Sequence, residues 1–427
     1  MALSRVCAAA GLLLAVGCQA KLMPTPLVCM RGRIDPFVGL PEDRTPNVVQ
    51  LFYATDRNPV DDEDPEDRYG NRRGYLLRLG QAQVRMGDDD ESWAEYRDAV
   101  LDGECQPERL EDVQEYGPLW TTVPGAAREV PLADGEHGAP LQRPALEFAA
   151  AIDRRLELAP TREVTVFVPG INTGFGRPLL LAAGLAHFLG TDGVVVAYCW
   201  PVAGNMLAYS RDTETVGLAS RNLRELLRLL AEHTDVERIN VLGYSRGAAV
   251  VNGALLQLRL MHRGEDVEAL RSRTRIGTVV YAGPDEDVDL FRNLSLDRVD
   301  DLLEAYVVYV STQDLALSIS RSFMSGTQRL GVPGEVSERE AEEIRSEAVS
   351  GFVDVGLAQD RAGRGLWGHS FWVDNPWVSS DLILTLRYGL APAERGLVRE
   401  DDELMWRFPE DYPERLSTVV DGLRPKP

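Results

Sequence analysis

A serine, a histidine and either of two aspartates of this chain have the residue types and the order along the sequence that nucleophilic acyl transfer can use. Ser245 is the centre of residues 243–247, GYSRG, which have the G-x-S-x-G pattern of a nucleophile elbow. A serine hydroxyl is a weak nucleophile at neutral pH, so it needs a base within hydrogen-bond reach and an acidic group that orients the base. The pattern predicts Ser245 as a nucleophile whose partners lie elsewhere in the chain.

The sequence around Ser245 predicts a strand, a sharp turn and a helix. Residues 238–242 are a short β-prone run, and residues 248–261 contain no helix breaker except Gly253. The two glycines of the pentapeptide permit a tight turn and a close approach of helix to strand. An ordinary serine in a glycine-flanked turn is the alternative, so the partner residues decide between the two interpretations.

His369 is the predicted general base. Three of the five histidines precede Ser245, whereas in folds with this elbow the order is serine, acid, histidine. His262 ends the helix that begins at the serine, roughly 25 Å away at the usual rise per residue. His369 lies in residues 365–372, GLWGHSFW, a glycine-flanked loop with aromatic neighbours that suits an imidazole at a partly dry site.

Two aspartates compete for the role of the acid. Asp314 follows the β-prone run at residues 305–311, and Asp285 follows a similar run at residues 276–282. Both are expected just past the carboxyl end of a strand, where the functional residues of parallel sheets collect. We prefer Asp314 because the acid usually follows the later strand, and Asp285 is the alternative acid.

Two backbone N–H groups are expected to bind the oxyanion that develops during acyl transfer. One belongs to Arg246, the residue after the nucleophile. The other is expected in the loop after the strand near residues 164–169, where Gly170 begins a turn. Ile171 is the predicted second donor.

Further segments occur in an order that is typical of one family. They are FYATDR at 52–57, PGINT at 169–173, YCWP at 198–201, the elbow, AGPD at 282–285, STQD at 311–314 and GHS at 368–370. Together they resemble the alpha/beta hydrolases of unknown function known as DUF900, over roughly residues 48 to 390. The resemblance implies an α/β-hydrolase fold and Ser-His-Asp chemistry, and it implies no particular substrate.

Two segments, the oxyanion loop and the elbow, depart from the family pattern. Pro169 stands where relatives have a histidine before the oxyanion-loop glycine, which removes a side-chain donor and stiffens the turn. Tyr244 stands where relatives have a histidine before the serine, and Arg246 follows where smaller or apolar residues are common. These departures keep open a second hypothesis, a lipid-anchored binding or scaffold protein without turnover. A cofactor-free haloperoxidase using the same three residues is a third.

The N-terminus predicts export from the cytoplasm. Residues 1–17 have the pattern of a signal peptide, with Arg5 before an apolar run that is too short to span a bilayer. Residues 15–18, AVGC, resemble a lipobox, so Cys18 is the expected lipidation site and residues 18–45 are a tether. Gln19 favours an outer-membrane lipoprotein of the cell envelope by the same resemblance. A secreted or periplasmic product is the alternative.

Composition narrows the classes of partner. The formal net charge is −22, which argues against nucleic acid and against a bare anionic membrane surface. No cysteine or histidine spacing is typical of a metal site, so neither a metal nor a cofactor is expected. The expected partners are a small ester or lipid substrate and the membrane, reached through the lipid anchor. Cys29 and Cys105 could form a disulfide, and Cys199 is expected to be a buried thiol.

Alternating strands and helices are predicted to position these residues. Strands are expected near 48–54, 74–86, 164–169, 194–200, 238–243, 276–282 and 305–311, and helices near 177–189, 213–233, 247–262 and 377–388. This alternation predicts one α/β domain at 46–390, an α/β-hydrolase fold with a mostly parallel sheet and helices on both faces. The expected function is a serine hydrolase acting on carboxylic esters through an acyl-enzyme.

The segments outside this framework carry further expectations. The acidic insertions 61–73 and 87–114 are expected to be solvated loops. Segments 200–220 and 318–350 are expected to be surface segments, with a small lid as the alternative for each. The C-terminal extension, residues 391–427, is expected to pack on the domain surface.

Overall fold

The computed structural model describes most of the chain. The described residues are 21–38, 47–119, 143–171, 173–190, 193–203, 209–315, 317, 328–332, 342, 351–363, 368–401 and 403–423. The predicted signal peptide and Cys18 lie outside these residues, as do most of segment 318–350 and residues 204–208. Among the described residues, no helix combines the length and the apolar character needed to cross a membrane.

The described residues form ten strands and eleven helices. The strands are β1 (Val48–Pro59), β2 (Tyr69–Met86), β3 (Glu108–Pro118), β4 (Glu163–Val168), β5 (Gly193–Tyr198), β6 (Arg238–Tyr244), β7 (Ile276–Ala282), β8 (Ala305–Val310), β9 (Gly351–Asp354) and β10 (Met405–Arg407). The helices are α1 (Trp93–Asp102), α2 (Arg143–Leu156), α3 (Gly176–Leu189), α4 (Tyr209–His233), α5 (Gly247–Met261), α6 (Val267–Thr274), α7 (Val288–Leu296), α8 (Gly356–Ala362), α9 (Phe371–Asp374), α10 (Pro376–Tyr388) and α11 (Tyr412–Leu423).

The strands join into one mixed sheet in the order β10-β9-β8-β7-β6-β4-β5-β1-β2-β3. The pairs β1–β2 and β2–β3 are antiparallel, and the other seven pairs are parallel. The predicted mostly parallel α/β sheet is confirmed. Because β4, β6, β7 and β8 run side by side in one direction, the loops after them meet at one edge of the sheet.

Helices cover both faces of the sheet. Along β4, Val166 and Val168 lie in one buried apolar cluster, and Phe167 between them lies in the other. Helices α2, α4 and α5 contribute to the first cluster, and α3 and α10 to the second. A strand buried on both faces has a continuous apolar sequence, which explains the uninterrupted hydrophobic runs of the central strands.

The insertion at 87–114 is not the solvated loop that its acidic composition predicts. It contains α1 and part of β3, and Tyr96 and Val100 of α1 are fully buried. A capping box starts the helix, in which Ser92 accepts from the Glu95 N–H and the Glu95 carboxylate accepts from the Ser92 N–H. Most of the acidic residues face solvent, although Glu108 is buried, and the apolar residues of α1 complete the core, so average composition was misleading.

The C-terminal extension is part of the core, which corrects the expected surface packing. Strand β10 pairs in parallel with β9 and forms one edge of the sheet. Phe408 and Tyr412 are fully buried, with ring centroids 4.8 Å apart, and Trp377 of α10 packs against both. Buried aromatic groups of this size contribute substantially to stability, so this segment stabilises the sheet from its edge.

The three cysteines of the described residues are free thiols. Cys29 is buried and Cys105 is exposed, so the structure does not contain the disulfide considered for them. Cys199 is buried, as predicted, and burial raises its pKa to about 12.

Candidate active site

The backbone turns sharply at Ser245, between β6 and α5. Ser245 has φ of 53°, a left-handed conformation that costs a residue with a side chain of order 1–3 kcal/mol. Two hydrogen bonds hold it there: its N–H donates to Ala282 O (3.0 Å), and its carbonyl accepts from the Asp285 N–H (3.1 Å). The end of β7 therefore maintains the strained turn that the G-x-S-x-G pattern predicts.

Close contacts explain why glycines surround Ser245. A Cβ on Gly247 would lie 2.3 Å from Val168 O, and one on Gly243 would lie 3.1 Å from Ala248 Cα. A Cβ on Gly170 would lie 2.8 Å from Ser245 Cβ and 3.2 Å from Oγ. The loop after β4 therefore lies directly against the serine hydroxyl.

His369 is joined to Asp314, the preferred of the two candidate acids. The imidazole Nδ1 lies 2.6 Å from Asp314 Oδ2, and the other carboxylate oxygen accepts from the Leu317 N–H at 3.0 Å. Asp314 is buried, while the His369 side chain is 13% exposed. When Nδ1 carries the proton that this contact requires, Nε2 is left as an acceptor, the form a general base needs.

Asp285 has a different partner. Its carboxylate Oδ1 lies 3.3 Å from Arg329 Nε in an ion pair that is buried on both sides. Backbone bonds hold the arginine in place, since Leu330 N–H donates to Glu286 O and Gly331 N–H donates to Pro284 O, both at 2.9 Å. The structure thus joins His369 to Asp314 and joins Asp285 to Arg329.

A buried glutamine holds the histidine loop beside the aspartate loop. Gln359 of α8 donates to Gly368 O (2.8 Å) and accepts from Ser311 Oγ (2.5 Å). Gly368 has φ of 71°, and a Cβ there would lie 2.6 Å from Gln313 O. The role of Gln359 could not be predicted from the sequence, because no local pattern distinguishes a helical glutamine that bonds residues far away in the chain.

The histidine also approaches the elbow itself. The ring of Tyr244, the residue before Ser245, has its centroid 5.1 Å from that of the His369 imidazole. Tyr244 ends β6, and Asp314 follows β8. Both contact His369 at the carboxyl edge of the sheet. A serine on a strained turn and an imidazole joined to a carboxylate are the residue types that nucleophilic catalysis uses.

A comparison with known families assigns the fold. The model of the family described as "Alpha/beta hydrolase of unknown function (DUF900)" matches residues 145–387, more than half of the chain. The chain belongs to this family. DUF900 membership supports a hydrolase-type function, and the description of the family specifies no substrate. No curated protein matches the chain.

The DUF900 match begins after β3, yet residues before it reach the site. Arg57, at the end of β1, is fully buried and donates from Nη2 to Thr173 O (2.9 Å) and from Nη1 to Asn71 Oδ1 (2.6 Å). Burial lowers the pKa of Arg57 to about 10. Its carbonyl partner, Thr173, lies in the loop after β4, so a residue outside the matched range holds that loop.

Two further contacts fix the same loop. Trp200 Nε1 donates to Pro169 O at 2.7 Å, and Phe175 packs against Tyr69 with ring centroids 4.6 Å apart. Ile171, the predicted donor, is half-buried between these anchors. The role of Tyr69 was missed, because the partner ring is more than 100 residues away in the chain.

The side chain of Arg246 is used inside this DUF900 domain. Its Nη1 donates to Asp285 O at 2.9 Å. Arg246 is also the N-cap residue of α5, so its backbone N–H lies at the start of that helix. The adjacent Glu286 is buried, and burial raises its pKa to about 7 although Asn252 donates a hydrogen bond to it. The guanidinium of Arg246, next to Ser245, therefore binds the loop after β7.

Proposed function

We propose that this protein is a serine hydrolase that cleaves carboxylic esters through an acyl-enzyme. The observation that carries the proposal is the 2.6 Å contact between His369 and Asp314 at the strand edge where Ser245 adopts its left-handed turn. Ser245 is the proposed nucleophile, His369 the general base and Asp314 the acid that holds the imidazole tautomer.

Each step of the reaction has a residue to perform it. Ser245 Oγ attacks the ester carbonyl carbon while His369 Nε2 accepts the hydroxyl proton, and the carbonyl oxygen becomes an oxyanion. The backbone N–H groups of Ile171 and Arg246 are the proposed donors to that oxyanion. The C–O bond then breaks, and the alcohol leaves with the proton from His369. Water, deprotonated by His369, hydrolyses the acyl-enzyme and releases the carboxylic acid.

The anchored loop after β4 favours catalysis over a purely structural use of the fold. Oxyanion donors are effective only when they are held in position before the reaction. Arg57, Trp200 and Phe175 hold the loop at three points on either side of Ile171. Esters are the proposed class because an alcohol is an easier leaving group than an amine.

A second candidate function is a binding or scaffold protein that keeps the fold without turnover. The observation that favours it is the burial of Ser245, whose exposure is 6%. A binding or scaffold protein tolerates a buried serine, because it needs no access of a substrate to the hydroxyl group.

Labelling with a fluorophosphonate probe distinguishes these functions. The probe reacts with an activated serine beside an oxyanion site, so it does not require a known substrate. We expect the mature protein to be labelled at Ser245, as located by peptide mass mapping, and the Ser245→Ala variant to remain unlabelled. Absence of labelling in a folded sample would contradict the hydrolase proposal and favour the binding function.

We also propose that the protein is a lipoprotein of the cell envelope, anchored through Cys18. The support is the lipobox-like sequence at residues 15–18, which lies outside the described residues. Metabolic labelling with a clickable fatty acid in a bacterial host should mark the wild-type protein and not the Cys18→Ser variant. Label-free protein recovered from the soluble fraction would indicate simple secretion instead.

A further inference from the structure

The imidazole of His369 lies close to two residues from neighbouring strand ends. The first is Tyr244, whose ring is 5.1 Å away between centroids and inclined by 35°. The second is Gly283, where a Cβ would lie 3.3 Å from both Nδ1 and Cε1 of the imidazole. Tyr244 pairs in register with Ala282, the residue before Gly283, so the sheet sets the separation of the two.

The Tyr244 ring is supported by buried rings. Tyr244 lies 5.6 Å from Trp372, and Trp372 lies 5.3 Å from Phe167 of β4, between ring centroids. Trp372 and Phe167 are both fully buried. Close-packed interiors resist displacement, so the Tyr244 ring presents a rigid surface to the imidazole.

The Gly283 position is equally constrained. Gly283 has φ of 53°, a conformation that favours glycine, and its N–H donates to Tyr309 O at 3.1 Å. The ring of Phe371 also lies close, 3.4 Å from the position of the missing Cβ. A side chain at Gly283 would therefore contact the Nδ1–Cε1 part of the imidazole closely and would also strain the backbone.

A single hydrogen bond from Nδ1 to Asp314 fixes one nitrogen but leaves the plane of the ring free to tilt. We propose that Tyr244 is a positioning residue which, together with Gly283, fixes the plane of the His369 imidazole and so keeps Nε2 presented to Ser245. This inference rests on the proposed function, and it assigns the role to the aromatic ring of Tyr244.

The hydroxyl group of Tyr244 is not part of this inference. Burial raises the pKa of Tyr244 well above its ordinary value, and the carboxylates of Asp314 and Asp374 act in the same direction. The phenol therefore stays protonated at working pH. Phenylalanine should replace tyrosine without loss, whereas an aliphatic side chain should not.

Three variants of the full mature protein test whether Tyr244 and Gly283 position the imidazole. Tyr244→Phe is the matched control that keeps the ring, and it should retain the wild-type kcat for a 4-nitrophenyl ester. Tyr244→Leu removes the ring and should lower kcat by about tenfold or more with little change in KM, because misplacing a catalytic group slows the chemical step. Gly283→Ala crowds the imidazole at Nδ1 and Cε1 and should also lower kcat.

A spectroscopic readout does not depend on turnover. The proton in a short imidazole–carboxylate hydrogen bond resonates far downfield of the amide region in ¹H NMR, and Asp314→Asn should abolish that signal and so assign it. We expect the resonance in the wild type and in Tyr244→Phe, and its loss or broadening in Tyr244→Leu and Gly283→Ala. Circular dichroism should show that each variant is folded.

The outcomes separate this inference from the proposed function. Wild-type kcat and an unchanged resonance in Tyr244→Leu would overturn the positioning role of Tyr244. Equal losses of kcat in Tyr244→Phe and Tyr244→Leu would also overturn it. If the wild type neither turns over an ester nor reacts with fluorophosphonate, the proposed function fails. In that case the resonance alone tests the positioning role. Loss of the resonance confined to Tyr244→Leu and Gly283→Ala supports the role, and no difference among the variants overturns it.

Discussion

Nδ1 of His369 and Oδ2 of Asp314 lie 2.6 Å apart, although 55 positions separate the two residues in the chain. The other candidate acid, Asp285, lies in a buried ion pair with Arg329 instead. The proposed function gives Asp314 a role in catalysis, whereas the buried ion pair gives Asp285 a role in stability. Substituting each aspartate by asparagine separates the two.

We expect Asp314→Asn to lower kcat by about 10⁴-fold, because the amide favours the wrong imidazole tautomer. Asp285→Asn should retain kcat per folded molecule and instead lower the free energy of unfolding by about 3–5 kcal/mol, since it leaves the Arg329 charge buried without its partner. Ester hydrolysis and urea denaturation measure the two effects. The opposite ranking of kcat values would make Asp285 the acid.

Ser245→Ala and His369→Ala should each lower kcat by about 10⁶-fold, because the two residues act as a unit. Hydrolysis of a 4-nitrophenyl ester and far-ultraviolet circular dichroism measure turnover and fold together. Substantial turnover in either folded variant would require a different nucleophile or base.

Ser245 also carries backbone strain that a substitution can release. Its φ of 53° favours glycine, so Ser245→Gly should be more stable than Ser245→Ala by about 1 kcal/mol, while neither hydrolyses the ester. Thermal unfolding of the two inactive variants compares them without any effect of the hydroxyl group. Equal or reversed stabilities would contradict the strained turn.

Arg57→Met should lower kcat by about tenfold with little change in KM. The reason is that the loop after β4, which contains the proposed oxyanion donor Ile171, loses its hydrogen bond at Thr173. Arg72→Met changes an exposed arginine of β2 and is the matched control, which should leave kcat unchanged. Steady-state kinetics on samples of equal folded fraction would measure both. A rise in KM alone in Arg57→Met would indicate a role in substrate binding.

The stability of the protein should depend on pH through Glu286. Its folded-state pKa of about 7 lies above the ordinary value of 4.5, so the unfolded chain loses this proton first as the pH rises. The free energy of unfolding should therefore fall between about pH 4.5 and 7 by up to about 3 kcal/mol, and then level off. Urea denaturation across this range should show a smaller fall in Glu286→Gln. An identical slope in that variant would show that Glu286 is not responsible.

Local sequence patterns were sufficient for much of the framework. The predicted strands and helices around Ser245, from β4 to α5, occur with boundaries shifted by a few residues, and α4 begins at 209 rather than 213. The insertion at 87–114 was misjudged because its acidic residues outweighed its few apolar ones, although the Ser92–Glu95 capping box marked the start of α1.

The sequence by itself determined the elbow at Ser245 and the alternation of strands and helices, because both depend on glycines and apolar runs that act between near neighbours. It left the contact of His369 with one of two aspartates open. Only the tertiary structure decided that contact, the pairing of Asp285 with Arg329, and the roles of Arg57, Gln359 and Gly283. Each depends on which loops the parallel sheet brings to one edge, and residues far apart in the chain carry no local signal of such a contact.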